Sequence, residues 1–215
     1  MKKIYLIMTL VCGMLMVSCK PDGVDGKHHG HEYVDLGLSV KWATCNLGAS
    51  SLDDYGHYFA WGETTTKESY SEENCPTFEL SYSQLQSQGY IDDKGNLTEE
   101  YDAATSNWGG DWRMPTYDEL NELRKECTWI WTTSSGVNGY TIVGPNGGTI
   151  FLPAAGNRGM SSLSNDGELG HYWSSTPYGD NGVNSCYLNL DVESWGIDLY
   201  SIIRYLGRSV RPVLD

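Results

Sequence analysis

The sequence predicts an α+β domain that consists mostly of antiparallel sheet, with one or two helices and long loops. Three observations support this fold class. Short segments rich in apolar and β-branched residues recur along the chain, turns rich in Gly, Asn and Asp separate them, and only one segment combines a complete helix start with a helical apolar face. Residues 32–215 have a uniform composition without a linker or an internal repeat. Because a chain of about 180 residues can bury one full core, we expect a single domain over 32–215.

The strand predictions depend on alternation and on turn chemistry. Between residues 34 and 42 apolar residues alternate with polar or small ones, which predicts one strand near the start of a sheet. The alternating set is Val34, Leu36, Leu38, Val40 and Trp42. Residues 139–143 and 149–152 flank the segment Gly-Pro-Asn-Gly-Gly, whose Asn-Gly pair favours the positive φ angles of a tight hairpin. Further short strands are predicted at 186–190, 195–200 and 209–213.

Two helices are predicted, one strongly and one from weaker signals. Thr116 and Glu119 form a capping box, and Leu120, Leu123 and Cys127 then fall on one helical face. A shorter helix is expected from about residue 98 to 105, with Thr98 as its cap. The corner formed by Trp108, Trp112 and Arg113 before the main helix is interpreted as packing rather than as a ligand site.

The amino terminus has the features of an export signal. Residues 1–18 comprise two lysines, an apolar run from Ile4 to Val17 and a small residue before Cys19, which is the order of a secretory signal peptide. This run is shorter than the roughly 20 residues that span a bilayer. Leu-Met-Val-Ser-Cys at 15–19 is similar to a bacterial lipobox, so Cys19 is the predicted lipidation site and the membrane is a partner through that anchor. The alternative is an ordinary signal peptide with a chance cysteine.

Residues 19–31 are predicted to be a flexible tether because they are rich in Gly, Asp and His. Three histidines of this segment, His28, His29 and His31, are candidate metal ligands. A flexible tether does not preorganise ligands, so we expect no metal ion. Asp22 and Asp25, soon after Cys19, favour the cell surface as the location.

The charge excludes some partners, and motifs for catalysis are missing. The formal net charge of −14 makes nucleic acid and anionic headgroups poor partners, since both select basic surfaces. The sequence contains no G-x-S-x-G, H-E-x-x-H or phosphate-loop motif. His57 and His171, the two histidines inside the predicted domain, are interpreted as surface or packing residues. We therefore expect neither an enzyme nor a bound cofactor.

Several motifs recur together in one known domain type. They are Trp42-Ala43-Thr44-Cys45-Asn46, Tyr58-Phe59-Ala60-Trp61-Gly62-Glu63, Trp112-Arg113-Met114-Pro115-Thr116, Tyr172-Trp173-Ser174-Ser175, the segment 138–159 and the segment 209–213. With them the chain resembles the Fibrobacter succinogenes major paralogous domain of exported lipoproteins in Bacteroides-type bacteria. The resemblance implies a C-type-lectin-like fold, distantly similar to formylglycine-generating enzymes, and an outer membrane lipoprotein. Those enzymes hold copper with two late cysteines, whereas this domain has only Cys186 late in the chain.

A ligand site is predicted in the loops between residues 155 and 184, where aromatic residues lie among glycines and hydrogen-bonding side chains. Trp173 or Tyr178 is the expected stacking platform, and Tyr178 is favoured of the two. The expected polar contacts are Asn157, Arg158, Asp180 and Asn181. Gly144-Pro145-Asn146 lacks the carboxylate of the calcium-binding triplets of lectins, so calcium-dependent sugar binding is not expected. The alternative is that these loops form only a solvated rim.

Four cysteines follow the predicted signal and lipidation site, and an even number in an exported chain allows three pairings. The favoured hypothesis is a Cys45–Cys127 disulfide, which would link the first strand to the end of the main helix. Cys75–Cys186 follows by elimination and is weaker.

Together these observations predict a lipid-anchored, non-catalytic binding or adhesion module of the cell envelope, for a glycan, another extracellular polymer or a surface protein. One alternative is an enzyme of the formylglycine-generating type or an unassigned hydrolase. Another is a structural subunit of a surface assembly, which would present an exposed apolar patch or a donor strand.

Overall fold

The computed structural model describes residues 23–191 and 196–215. These residues form three α-helices, a short 3-10 helix at Glu72–Asn74 and twelve strands. The helices are α1 (Tyr82–Ser87), α2 (Ala103–Trp108) and α3 (Tyr117–Glu126). The strands are β1 (Gly26–His28), β2 (His31–Val34), β3 (Lys41–Ala43), β4 (Thr128–Ser134), β5 (Val137–Val143), β6 (Thr149–Pro153), β7 (Ala155–Gly159), β8 (Ser162–Asp166), β9 (Leu169–Pro177), β10 (Asn184–Asp191), β11 (Ile197–Ile203) and β12 (Val213–Leu214). The predicted signal peptide (1–18), Cys19 and Trp195 lie outside the described residues.

The strands form three sheets, and their pairing confirms the predicted α+β class with mostly antiparallel sheet. Their orders are β1-β2-β3-β12, β11-β10-β9-β7-β8 and β4-β5-β6. The single parallel pairing among the named strands that are described joins β7 to β9, through Gly156 and Gly170. The described part of the chain has three helices, one more than the sequence predicts. None of them is both long and apolar enough to cross a membrane.

The core lies on both faces of the five-stranded sheet. On one face α3 packs against β9, β10 and β11, and its Leu120 and Leu123 join the cluster that contains Tyr172, Leu188 and Trp42. On the other face Trp173 and Tyr187 pack with Phe59 and Trp61. Trp42, Trp61 and Trp173 are fully buried. Trp42, a member of the alternating set in the sequence, is therefore a core residue as predicted.

The prediction of a single strand over 34–42 is wrong, although its burial pattern is right. Val34, Leu36, Val40 and Trp42 are buried, Leu38 is half-buried, and the residues between them are more exposed. The chain nevertheless folds back, because Val34 of β2 pairs with Trp42 of β3. Gly37 has φ +74°, and its N–H donates to the Asp35 carboxylate at 2.7 Å, which closes the reversal.

The main helix is confirmed in detail. Thr116 caps α3, and both bonds of its capping box with Glu119 are present. Arg113 donates to both carboxylate oxygens of Glu119, at 2.8 and 2.6 Å. It therefore stabilises the helix start, in agreement with the structural role predicted for the corner before the main helix. Cys127 follows as the C-cap and packs against the core cluster of the helix face.

The shorter helix begins later than predicted. Asp102, not Thr98, caps α2, because its buried carboxylate accepts from the N–H groups of Ala104 and Thr105. The Thr98 hydroxyl instead donates to the Gly89 carbonyl. Helix α1 was not predicted, although Ser81 and Gln84 form a capping box of the S-x-x-Q type.

The predicted hairpin is confirmed, and the predicted last strand is not. Strands β5 and β6 pair from Gly139 opposite Pro153 to Val143 opposite Thr149. In the turn between them Gly147 has φ +87°, whereas Asn146 does not enter the positive-φ region. Strand β10 covers the predicted segment 186–190, and β11 covers residues 197–200 of the predicted segment 195–200. Of the segment 209–213 only the last residue is in a strand, because Arg211 bends into the core and donates to three main-chain carbonyls and Asn46.

The last residues of the predicted tether lie in the first sheet. Gly26–His28 pairs with His31–Val34, and Asp25 also donates its N–H to the Tyr33 carbonyl at 2.9 Å. His31 stacks on Trp108 with ring centroids 3.8 Å apart. These contacts place the folded boundary of the described chain before Gly26 rather than at residue 32.

Candidate functional site

The structure contradicts one of the predicted stacking residues. Trp173 is fully buried in β9, and its indole N–H donates to the Phe59 carbonyl at 2.9 Å. The Arg208 guanidinium lies 5.1 Å from the ring centroid. Trp173 therefore has no face free for a ligand, because β9 is buried on both faces of the sheet.

Tyr178 is exposed, and the polar residues after it build the turn. Its side chain is 51% exposed just after β9. Asp180 accepts the N–H of Tyr82, the first residue of α1, at 2.8 Å. Asn181 accepts from the N–H groups of Val183 and Asn184 at 3.1 Å. Asp180 and Asn181 thus each accept main-chain hydrogen bonds, and like Tyr178 they remain exposed.

Asn157 and Arg158 lie in β7, away from that turn. Asn157 pairs with Ser164 of β8, and the Arg158 guanidinium lies 5.3 Å from the Tyr58 ring centroid. β7 meets β9 near Gly170, whereas Tyr178 follows the opposite end of β9. The fold therefore divides the predicted ligand residues between two places.

Neither predicted disulfide is formed. Cys45, Cys75, Cys127 and Cys186 are all free thiols. Cys45 borders a shallow depression with His31 and Ser50, while Cys127 packs on the core at the end of α3. Burial raises the pKa of Cys127 to about 11 and that of Cys186 to about 11, so both thiols are protonated at neutral pH.

The histidines have packing roles. The described residues contain no group of three or more His, Cys, Asp or Glu side chains that could hold a metal ion. His28 contacts the His29 ring and lies 3.6 Å from an Asp111 carboxylate oxygen. His57 packs near Phe59. His171 is buried against Tyr187, with ring centroids 5.5 Å apart, and burial lowers its pKa to about 3.

A cleft of about 640 Å³ lies between the first sheet and the β5–β6 turn. We call it the amino-terminal cleft. Its lining residues are Gly23, Asp25, Tyr33, Asp35, Lys41, Asn146, Gly147, Gly148 and Thr149. They come from the approach to β1, from β2 and β3, and from the turn that enters β6.

The Asn146 side chain and a close approach of two main-chain segments hold the two walls of the cleft together. The Asn146 amide donates to the Asp35 carbonyl at 2.9 Å and accepts the N–H of Gly148 at 2.8 Å. A Cβ on Gly148 would lie 2.3 Å from the same Asp35 carbonyl oxygen. Only glycine therefore allows the turn of the third sheet to approach the first sheet this closely.

The side chains of the cleft are mostly polar. One oxygen of Asp25 accepts the N–H of Asp35 at 2.8 Å, which fixes the Asp25 carboxylate in place. Lys41 donates to the main-chain oxygen of Asp215 at 2.6 Å, and its ammonium lies 6.0 Å from the Tyr33 ring centroid. The cleft thus combines two carboxylates, an amide, an ammonium group and a tyrosine. Among the described residues that line it there is no His or Cys, so the lining offers no nucleophile activated by an imidazole.

An apolar groove of about 250 Å³ continues from the cleft and shares Gly23 and Thr149 with it. Its remaining lining residues are Val24, Val34, Thr44, Leu52, Thr141, Ile150 and Phe151. Val24 and Leu52 are 45% and 48% exposed. A ligand in the cleft would therefore meet hydrogen-bonding groups on one side and aliphatic surface on the other.

The sequence pattern does not predict this cleft. Asp35 and Lys41 lie between the apolar residues of the predicted strand 34–42, Asp25 lies in the predicted tether, and Asn146 lies in the predicted hairpin turn. The reversal at Gly37 brings these residues together. The sequence signal for that reversal is the pair Asp35 and Gly37, which is typical of an Asx-type turn.

Comparison with known proteins adds no relative. No family model, no curated protein and no solved structure matches this chain.

Proposed function

We propose that this chain is a lipid-anchored, non-catalytic binding module of the bacterial cell envelope, and that it binds a glycan in the amino-terminal cleft. The anchor is Cys19, the module is displayed at the surface of the outer membrane, and its finer architecture is C-type-lectin-like. The lipobox and the motifs of the major paralogous domain support the location and the architecture.

The composition of the cleft carries the proposal for a glycan. A sugar ring presents hydroxyl groups at its edge and apolar C–H groups on its faces. Asp25 and Asp35 offer carboxylate oxygens that bind hydroxyls, while Tyr33 and the adjoining groove offer apolar surface. With a volume of about 640 Å³ the cleft also has room for more than one sugar unit.

Charge narrows the class of glycan. Two carboxylates and one ammonium group line the cleft, and the whole chain has a formal net charge of −14. A uronic or sialic acid would meet repulsion from both carboxylates and from the general field of the protein. We therefore expect a neutral or amino-bearing sugar, with weaker binding of acidic polysaccharides.

The test is a glycan array, followed by calorimetry with the glycan that is retained. Asp25→Asn preserves the acceptor for the Asp35 N–H but removes the charge, and Lys41→Gln removes the ammonium group. Each change is expected to weaken binding by roughly tenfold to a hundredfold, because a hydrogen bond to a charged group contributes about 1.5–3 kcal/mol.

Tyr178→Ala is the matched control, since it removes an exposed aromatic residue outside the cleft. It is expected to leave affinity unchanged. If Tyr178→Ala abolishes binding while both cleft variants bind as the unmodified chain does, the ligand site is the β9–β10 turn and the cleft proposal is wrong. If no glycan is retained at all, the glycan class itself is refuted.

A further inference from the structure

Strand β4 has one unpaired edge. It is the outer strand of the sheet β4-β5-β6, and each of its seven residues pairs with β5, from Thr128 opposite Val143 to Ser134 opposite Val137. Within residues 23–191 and 196–215 no main-chain hydrogen bond reaches its other edge. An edge of this kind presents a row of N–H and C=O groups that can pair with another strand.

The residues of β4 do not protect this edge. The strand reads Thr-Trp-Ile-Trp-Thr-Thr-Ser, without a charged residue or a proline, and its pairing with β5 contains no register shift. Proteins usually block such edges with lysine, proline or a bulge. Ile130 is 49% exposed on the outer face of the sheet. A long, regular, apolar edge without these features is typical of a strand that receives a partner.

The sequence of the edge is complementary to itself. Thr128-Trp129-Ile130-Trp131-Thr132 reads the same in both directions about Ile130. When two antiparallel copies meet about a two-fold axis at Ile130, Trp129 of each lies opposite Trp131 of the other, and Ile130 lies opposite itself. Aromatic cross-strand pairs stabilise a sheet, and a two-fold axis satisfies both copies with the same contacts.

The distribution of charge favours this edge over the rest of the surface as the place where two copies meet. The chain has a formal net charge of −14, which opposes association over most of its surface. The strand itself has no charged side chain, so two copies can approach here without placing like charges opposite each other.

We propose that two copies of this chain associate by antiparallel pairing of β4 with β4 about Ile130, which joins their three-stranded sheets into one sheet of six strands. This association is independent of glycan binding. It presents the amino-terminal cleft twice, on the two sides of the symmetry axis.

The first test is disulfide trapping in the full chain, purified from cell envelopes in mild detergent. Ile130→Cys places a thiol on the symmetry axis, so mild oxidation is expected to give a covalent dimer. Tyr178→Cys is the matched control, because Tyr178 is similarly exposed at 51% but lies in another part of the fold. The native cysteines give the same background in both variants. Equal trapping of the two variants would overturn the proposal.

The second test is sedimentation equilibrium of the unmodified chain and of Ile130→Lys. Two lysines opposite each other on the axis are expected to raise the dimer dissociation constant by at least about tenfold. Tyr178→Lys, with the same added charge, is expected to dimerise as the unmodified chain does. An unmodified chain that stays monomeric at every concentration, or an Ile130→Lys variant that dimerises normally, refutes the pairing. Thermal melting of each variant confirms that it is folded.

Discussion

Acidification from pH 7.5 to pH 4.5 is expected to remove roughly 3 kcal/mol of folding free energy through His171 alone. Burial in β9 lowers the pKa of this imidazole to about 3, and the nearby Arg208 guanidinium acts in the same direction. A carbonyl of Gly156, the Asn189 side chain and the Asp191 carboxylate favour the protonated form and are outweighed. In the unfolded chain the pKa returns to about 6.5.

The sign and size follow from proton linkage. Between pH 6.5 and pH 3 the unfolded chain binds a proton at His171 and the folded chain does not, so stability falls as the pH falls. Each unit of pH within this window costs about 1.36 kcal/mol, so the two units between pH 6.5 and pH 4.5 cost roughly 3 kcal/mol. Asp102 acts in the opposite sense, because burial raises its pKa to about 6 and its folded form gains a proton first.

The assay is urea unfolding at both pH values, compared between the unmodified chain and His171→Gln. Glutamine does not titrate, so the variant is expected to lose roughly 3 kcal/mol less on acidification, while the contribution of Asp102 cancels in the comparison. His57→Gln is the control, since His57 packs near the surface beside Phe59. If His171→Gln and the unmodified chain have the same pH dependence, His171 is not the buried neutral group described above.

Three further outcomes are expected. In thermal melting Gly144→Ala should destabilise the fold by more than about 2 kcal/mol, since its Cβ would lie 2.2 Å from a main-chain oxygen. The control Gly136→Ala has open space around its Cβ and should cost about 1 kcal/mol for its positive φ. Equal losses would contradict the close approach at Gly144. Alkylation of the denatured, unreduced chain should label all four domain cysteines, and a Cys45–Cys127 peptide would contradict the free thiols. Cys19→Ser should move the protein from the detergent phase to the aqueous phase, and a wild-type protein already in the aqueous phase would refute the anchor.

The sequence predicted those parts of the fold that depend on local signals. The capping box at Thr116, the helix face of Leu120 and Leu123, and the hairpin around Gly147 all follow from interactions between residues close in sequence. Predictions from such local patterns are reliable because each interacting group finds its partner only a few residues away.

Long-range contacts account for the errors. The alternation from 34 to 42 gives the correct burial, but alternation cannot distinguish one long strand from two short strands joined by a reversal at Gly37. The start of α2 depends on Asp102, whose carboxylate also accepts the N–H of Met114, twelve residues later. The contact between Asp102 and Met114 is not visible in a local pattern.

The candidate site was harder to predict for the same reason. Trp173 is of a residue type that often stacks on ligands. In this fold it is buried and bonds to the Phe59 carbonyl, which is distant in sequence. Tyr178 was correctly expected to be exposed. The cleft itself unites Asp25, Lys41 and Asn146 from three separate segments, so only the packing of the first sheet against the β5–β6 turn reveals it.

The position of β1 has a mechanical consequence for an anchored protein. If Cys19 holds the lipid, three residues separate it from Gly23, and the four steps between the two Cα atoms span at most about 14 Å of extended chain. The cleft then lies close to the membrane surface. When a ligand in the cleft is pulled away from the membrane, the tether between Cys19 and Gly23 comes under tension, and β1 is the first strand that this tether meets. Three residues pair β1 with β2, so this hairpin is the first to peel away. Peeling would displace Gly23 and Asp25, which line the cleft, so tension on the tether and occupancy of the cleft would oppose each other.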